Sequence, residues 1–165
     1  MMIRQIIPTD AESFVNLIHQ VERESPFMLF EAGERNAKSE DVRKRIDAID
    51  KTTNSTIFVA EVDQELVGYL MAVGGEPKRK KYCVYIVVGI LAQHQGKGIG
   101  KRLFEGLEGW AKEQNIRRLE LTVITQNEAA IGLYKKMGFE IEGIKRDSLY
   151  VNGEFVDEYY MSMLL

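Results

Sequence analysis

The chain has 165 residues, 45% of them hydrophobic and 28% charged, and its formal net charge is −3. These values fit a single folded domain over residues 1–165 and exclude a disordered or collagen-like chain. The charge lacks the dominant basic field of a nucleic-acid binder, and one cysteine, Cys83, allows neither an intrachain disulfide nor a cysteine-built zinc site. The longest apolar run, 83–92, is shorter than the roughly 18–20 residues of a membrane helix. We therefore expect a cytoplasmic protein without nucleic-acid or membrane partners.

The first half of the chain predicts a strand, two helices and a hairpin. A β-prone run over 3–7 ends at Pro8, and Thr9 with Glu12 fits a capping box for a helix over 10–24. A loop follows, and Ser39 is predicted to cap a second helix with Val42, Ile46 and Ile49 on one face. Breaker residues then precede two β-rich runs, 56–62 and 66–73, joined by a short turn as a hairpin.

The second half begins with a nearly continuous apolar strand over 82–91, a pattern typical of burial on both faces. A glycine-rich segment leads into a third helix from Ile99. The remaining elements are predicted as a strand over 118–125, a helix over 127–137 that stops at Gly138, and a terminal hairpin of 139–150 and 154–164 that turns at Asn152-Gly153. The order β-α-α-β-β-β-α-β-α-β-β predicts a mixed α/β (α+β) domain with helices packed on one sheet.

The strongest chemical signal is the segment 95–102, Gln-Gly-Lys-Gly-Ile-Gly-Lys-Arg, between a buried strand and a helix. Glycines allow close approach of a ligand, and the first amides of a helix have no helical partner. Together with the helix dipole and the cations Lys97, Lys101 and Arg102, they make an anion site suited to a diphosphate. The alternative is a flexible turn with solvated lysines.

Two familiar phosphate motifs do not fit this segment. Gln95 stands where the Walker motif needs its first glycine, and Lys101 where the dinucleotide fingerprint needs its third. The pattern that fits is Gln/Arg-x-x-Gly-x-Gly/Ala, through Gln95, Gly98 and Gly100. Residues 127–139, Asn-Glu-Ala-Ala-Ile-Gly-Leu-Tyr-Lys-Lys-Met-Gly-Phe, supply a second element. Together the two motifs resemble the acetyl-CoA site of the GCN5-related N-acetyltransferase (GNAT) family.

This resemblance implies the GNAT-type acyl-CoA N-acyltransferase fold, a twisted, mostly antiparallel sheet flanked by about four helices. It also implies acetyl-CoA as cosubstrate, an amine as acceptor, direct transfer in a ternary complex and no metal. Tyr134 would be the general acid, and the backbone of Ile90 would stabilise the oxyanion. The residues implied to contact acetyl-CoA are Val88, Gly89, Ile90, Gln95, Gly96, Lys97, Gly98, Ile99, Gly100, Lys101, Asn127, Ala130 and Tyr134.

Elementary chemistry is consistent with these roles. Gly89 within a β-branched strand predicts a bulge or a close backbone approach. A bulge would free an amide for the oxyanion, and losing such a donor costs roughly 2.7–4 kcal/mol. Tyr134 can donate its proton to the thiolate, because a tyrosine titrates near pH ~10.

The group that accepts the amine's proton is less evident. An alkylamine has a pKa near ~10.4, so its deprotonation at pH 7 costs about 4.6 kcal/mol. The family often uses a glutamate on the strand before the glycine-rich loop, but 82–91 contains no carboxylate. Glu120 and His94 are weak candidates for the base. Four acidic residues near the end of the first helix favour a cationic acceptor: Glu22, Glu24, Glu31 and Glu34.

The acceptor itself stays open at this stage: a metabolite amine, an antibiotic, a polyamine, or a protein N-terminus or lysine. Two other functions are also compatible with the sequence. One is a CoA-binding sensor or interaction module of the same fold without turnover, which the missing strand carboxylate favours. The other is a nucleotide phosphate-binding domain. The resemblance is also compatible with a homodimer.

Overall fold

The computed structural model describes residues 1–165. Its seven strands are β1 Met2–Gln5, β2 Thr56–Val62, β3 Glu65–Gly74, β4 Cys83–Ile90, β5 Arg118–Ile124, β6 Glu140–Val151 and β7 Glu154–Leu164. Its four helices are α1 Ala11–Glu24, α2 Ser39–Asp50, α3 Ile99–Glu113 and α4 Glu128–Lys136. The predicted element order is confirmed. None of these helices has the length and apolar character needed to cross a membrane.

All seven strands form one sheet in the order β1-β2-β3-β4-β5-β7-β6. Every neighbouring pair is antiparallel except β4 and β5, which are parallel. A parallel pair needs a crossover connection, and α3 supplies it between these two strands. The mixed, mostly antiparallel sheet predicted for the chain is thereby confirmed.

The helices cover both faces of the sheet. Tyr69 on β3 meets Phe14 of α1 edge to face, with ring centroids 5.5 Å apart. The neighbouring Gly68 faces the other way, because a Cβ built there would lie 3.4 Å from Ile99 of α3. Successive residues of a strand point to opposite faces, so α1 and α3 lie on opposite sides of the sheet. α4 packs beside α3, where Tyr134 contacts Phe104 at 5.8 Å between ring centroids.

The local signals succeed at the hairpin and fail at the first helix. Asn152 and Gly153 have φ of 50° and 81°, the left-handed turn that an Asn-Gly pair favours. The predicted capping box is wrong, because Thr9 lies in a 3₁₀ turn and α1 begins one residue later than predicted, at Ala11, with Asp10 at its N-cap. The Asp10 carboxylate there accepts the Ile7 amide at 2.9 Å and pairs with Arg4 at 2.7 Å. Tertiary pairing of Asp10 thus replaces the local cap.

Candidate active site

The sheet is open between β4 and β5. These strands pair over three residues, ending with Tyr85 opposite Glu120. Beyond that point β4 stays paired with β3 and β5 with β7. The two strands therefore diverge, and residues 86–90 and 121–124 line a wedge-shaped gap, which we call the β4–β5 cleft.

Backbone polar groups of β4 point into this cleft. The Tyr82 carbonyl accepts the Arg118 amide at 3.1 Å, so it points towards β5. The Leu91 amide points the other way and donates to a β3 carbonyl at 3.0 Å. Because backbone polar groups alternate in direction along a strand, the amides of Val88 and Ile90 face the cleft, where no strand pairs with them. An extended ligand with its own amides can bind such an edge as an additional strand would.

Gly89 contributes space instead of a hydrogen bond. The β3–β4 register continues through Gly89 opposite Tyr69 without a shift, so the predicted bulge is absent and the Gly89 amide faces β3. A side chain, and not a second backbone, approaches Gly89 closely, since a Cβ there would lie 2.5 Å from Cε1 of Tyr69. The Tyr69 ring is buried and lies across Gly89 on the α1 face of the sheet.

Replacing Gly89 by Ala is expected to destabilise the protein by about 1–3 kcal/mol, because the buried Tyr69 ring must move to admit the methyl group. Guanidinium unfolding measures the change. The matched control is Gly132→Ala on the exposed side of α4, where a Cβ meets no atom within 4 Å; its stability should stay equal or rise by up to about 1 kcal/mol. Equal stability of G89A and the parent would contradict this packing.

The glycine-rich loop presents free amides at the start of α3. Gly96 and Gly98 have φ of +71° and +80°, a region that favours glycine, and a Cβ at either would meet no atom within 4 Å. Arg102 has the first amide of α3 that bonds to the preceding turn, at 3.1 Å from the Gly98 carbonyl. The amides before it have no helical partner: Ile99, Gly100 and Lys101. This is the predicted diphosphate cradle, and the exposed side chains of Lys97 and Arg102 add positive charge.

Two hydrogen bonds fix the connection between β4 and this loop. The Gln95 side-chain amide donates to the Ile90 carbonyl at 3.1 Å, which ties the loop to the end of β4. The Glu24 carboxylate accepts the Ala92 amide at 2.7 Å, and this bond lowers the pKa of Glu24. Glu24 is thus a support of the loop that the sequence did not predict.

The second motif forms α4 and holds it against the loop. The Asn127 side-chain oxygen accepts the Ala130 amide at 3.3 Å, so Asn127 caps the helix. Leu133 lies next to Gly100, because a Cβ at Gly100 would be 2.6 Å from Leu133 Cδ2. The motif therefore fixes the distance between α4 and the start of α3.

Tyr134 is buried between aromatic rings at this junction. Its ring centroid is 5.8 Å from that of Phe104 and 6.0 Å from that of Phe139. Burial, with a smaller contribution from Tyr85, raises the pKa of the phenol well above its usual value. The hydroxyl is thus held protonated at neutral pH, as a general acid requires.

Glu120 is placed poorly for a base. It lies opposite Tyr85, at the closed end of the β4–β5 cleft, and accepts a hydrogen bond from Arg118 Nε at 2.7 Å. Arg118 also pairs with Glu142 at 2.6 Å. Ile90 is five residues beyond Tyr85, a span of about 16 Å along a strand, so Glu120 is far from the Ile90 amide and engaged in an ion pair. This geometry argues against the predicted role of Glu120.

A carboxylate that the sequence assigned only to acceptor charge is found inside the protein. The Glu22 side chain is 1% exposed and lies 2.9 Å from Nε of Arg35 in the α1–α2 loop. The other acidic residues of that region, Glu24, Glu31 and Glu34, are exposed. The sequence contains a signal for this burial, because Glu22 follows Ile18 by four residues and so lies on the apolar face of α1.

A cleft of about 140 Å³ opens just beyond the C-terminal end of α1. It is lined by the α1–α2 loop, the end of β5 and the β6–β7 turn. Its apolar walls include Phe27, Ile124 and Val156. A second cleft of about 220 Å³ lies at the other end of β4, beside Tyr82 and the end of α3, and contains none of the predicted site residues. The smaller cleft is the one that adjoins α1 and the open end of the sheet.

A sheet opened between two parallel strands, with free amides beside the opening and at an adjoining helix start, defines a protein that can hold an extended diphosphate ligand. Residues 17–139 match the model of the acetyltransferase (GNAT) family. The chain belongs to this family, as its sequence motifs predicted.

Named relatives agree with this assignment. The chain is 32% identical over 109 residues to the L-amino acid N-acetyltransferase AaaT of Escherichia coli K12, covering 64% of this chain and 65% of that enzyme. It is 34% identical over 121 residues to an N-alpha-acetyltransferase of Sulfurisphaera tokodaii, covering 68% and 71% of the two chains. The structure of a GNAT-family acetyltransferase from Streptococcus pneumoniae superimposes with a TM-score of 0.96, at 29% identity and with 99% and 98% coverage.

Proposed function

We propose that this chain transfers the acetyl group of acetyl-CoA to a primary amine by direct attack in a ternary complex. One observation carries the proposal: the cleft-facing amides of Val88 and Ile90 adjoin the loop that presents the free amides of α3, and Tyr134 packs against that same helix. The family assignment supports it independently.

Each part of the site has a distinct task in this reaction. The amides of residues 96–101 bind the diphosphate, and the edge of β4 binds the pantetheine arm in the cleft. The Ile90 amide donates to the thioester oxygen as that oxygen becomes negative, while the amine forms the new C–N bond. As the C–S bond breaks, Tyr134 donates its proton to the leaving sulfur.

Cys83 does not serve as an acyl carrier in this proposal. It lies at the start of β4, in the closed, paired part of the sheet opposite Arg118. Burial and the nearby Glu120 raise the pKa of the thiol, which disfavours the nucleophilic thiolate. The position and pKa of Cys83 therefore favour direct transfer from acetyl-CoA to the amine over a covalent acyl-enzyme intermediate.

The test is thiol release from acetyl-CoA over an acceptor panel: L-amino acids, a peptide with a free α-amino group, spermidine, an aminoglycoside and a lysine-containing peptide. We expect amine-dependent release of CoA with at least one of them and the acetylated amine in the mass spectrum. Tight acetyl-CoA binding without release would favour the inactive CoA-binding module instead. Displacement of CoA by ATP or NAD would favour a nucleotide-binding domain.

In this proposal residues 1–165 act as one catalytic domain in the cytoplasm, and the family resemblance is compatible with a homodimer. Light scattering of the purified chain measures its mass, and 18.9 kDa is the monomer value. A mass of twice that value would show a homodimer, and the monomer mass would exclude it.

A further inference from the structure

Glu22 is a buried carboxylate without hydrogen bonds. Neither of its oxygens has a donor in hydrogen-bonding geometry, and the same is true of Arg35 Nε, 2.9 Å from Oε1. Burying a charged group without hydrogen bonds is unfavourable, and such groups in folded proteins are usually satisfied. We therefore expect an additional N–H donor to bind this carboxylate when the substrates are bound.

The counterion of Glu22 comes from a loop. Arg35 lies between α1 and α2, its side chain is 29% exposed, and its guanidinium stacks 4.2 Å above the Phe30 ring. Turning this guanidinium to solvent alone would leave the carboxylate on α1 buried and uncompensated, which is strongly unfavourable, so Arg35 moves away only as another cation takes its place. Glu22 can therefore exchange the poorly aligned arginine for a better-aligned cation.

Tyr69 connects Glu22 to the open strand. Burial raises the pKa of the Tyr69 phenol, and of the charges near it Arg35 lowers that pKa and Glu22 raises it. A Cβ at Gly89 would be 2.9 Å from that hydroxyl, so it lies beside the residue between the two cleft-facing amides of β4. Glu22 of α1 therefore lies on the Tyr69 side of the sheet, whereas Tyr134 packs against α3 on the other side.

We propose that Glu22 binds the ammonium group of the acceptor and takes its proton before attack. This inference rests on the proposed acetyl transfer and adds the base that β4 lacks. The carboxylate accepts one proton from R–NH₃⁺, which leaves R–NH₂ with a free electron pair. That pair forms the C–N bond with the acetyl carbon, and the C–S bond breaks as the sulfur takes a proton from Tyr134. The amide nitrogen gives up its second proton, which restores Tyr134, and Glu22 releases its own proton to water.

Three other titratable or charged groups face this position. They are His19, one turn before Glu22 on α1 and with its Nε2 buried without a partner; Arg35; and the Tyr69 hydroxyl, whose pKa is raised by burial. An alkylamine is almost wholly protonated at pH 7, so a base at Glu22 contributes most to the rate near that pH. Its contribution declines as the solution itself deprotonates the amine.

Glu22→Gln tests the inference, with Glu12→Gln on the exposed side of α1 as the matched control. With the best alkylamine of the panel at pH 7, we expect E22Q to lower kcat/KM by about 10²-fold or more and E12Q to leave it unchanged. The loss should shrink as pH rises, and it should shrink at pH 7 with an alkoxyamine acceptor, which is mostly neutral there. Acetyl-CoA affinity by calorimetry and Tm should stay near the parent values.

The outcomes separate the two proposals. If the parent chain releases no thiol with any amine, the proposed function fails. If the parent is active and E22Q matches it, the inference about Glu22 fails. It also fails if the loss is equal for alkylamine and alkoxyamine at every pH, because a merely structural role would affect both alike. Should E22Q not fold, Glu22→Asp, which keeps the charge but shortens its reach, is expected to show the same dependence on pH and acceptor with a smaller amplitude.

Discussion

Tyr134→Phe is expected to lower kcat by about 10²-fold or more while leaving acetyl-CoA affinity close to that of the parent, because it removes only the proton that the departing sulfur needs. The ring stays packed between Phe104 and Phe139, so stability should change by less than about 1 kcal/mol. Steady-state rates of thiol release and calorimetry with acetyl-CoA make the comparison.

The control for this change is Tyr150→Phe, which also removes a phenol hydroxyl, but from an exposed tyrosine near the β6–β7 turn. It should not affect kcat. The pH profile adds a second check. Since burial raises the pKa of Tyr134, the parent should keep its acid protonated and show no loss of kcat from this group up to pH ~10. A Y134F enzyme with the parent kcat would remove Tyr134 as the acid.

Gly98→Ala is expected to raise the Kd for acetyl-CoA by about tenfold or more, equivalent to about 1.4 kcal/mol. Gly98 has a φ of +80° immediately before α3, and an L-residue there costs about 1–2 kcal/mol. Relief of that strain turns the amides that follow, Ile99 and Gly100, away from the diphosphate. Calorimetric titration with acetyl-CoA measures the loss.

Gly109→Ala is the matched change within the same helix. Gly109 is exposed, and a Cβ there meets no atom within 4 Å. Alanine at this interior position should favour the helix by up to about 1 kcal/mol and leave the Kd unchanged. Equal Kd values for G98A and the parent would show that the loop does not bind the diphosphate through its backbone.

The local patterns of the sequence predicted the elements well because they depend on few residues. The Asn152-Gly153 turn, the stop at Gly138 and the glycine-rich start of α3 each follow from conformations that glycine or asparagine adopts readily. The capping box at Thr9 failed for the opposite reason. Asp10 pairs with Arg4, a residue of β1, and no local rule contains that contact.

The amino-acid sequence by itself thus determined the order of elements, the family and the positions of the glycine-rich loop and of Tyr134, because these are carried by short motifs and regular periodicities. Only the tertiary structure could show that Glu120 forms an ion pair at the closed end of the cleft and that Gly89 packs against the Tyr69 ring. It also placed the carboxylate of Glu22 in the interior. Each of these depends on groups distant in the chain that meet only when the sheet and α1 pack, and burial and pairing then set the chemistry of a side chain.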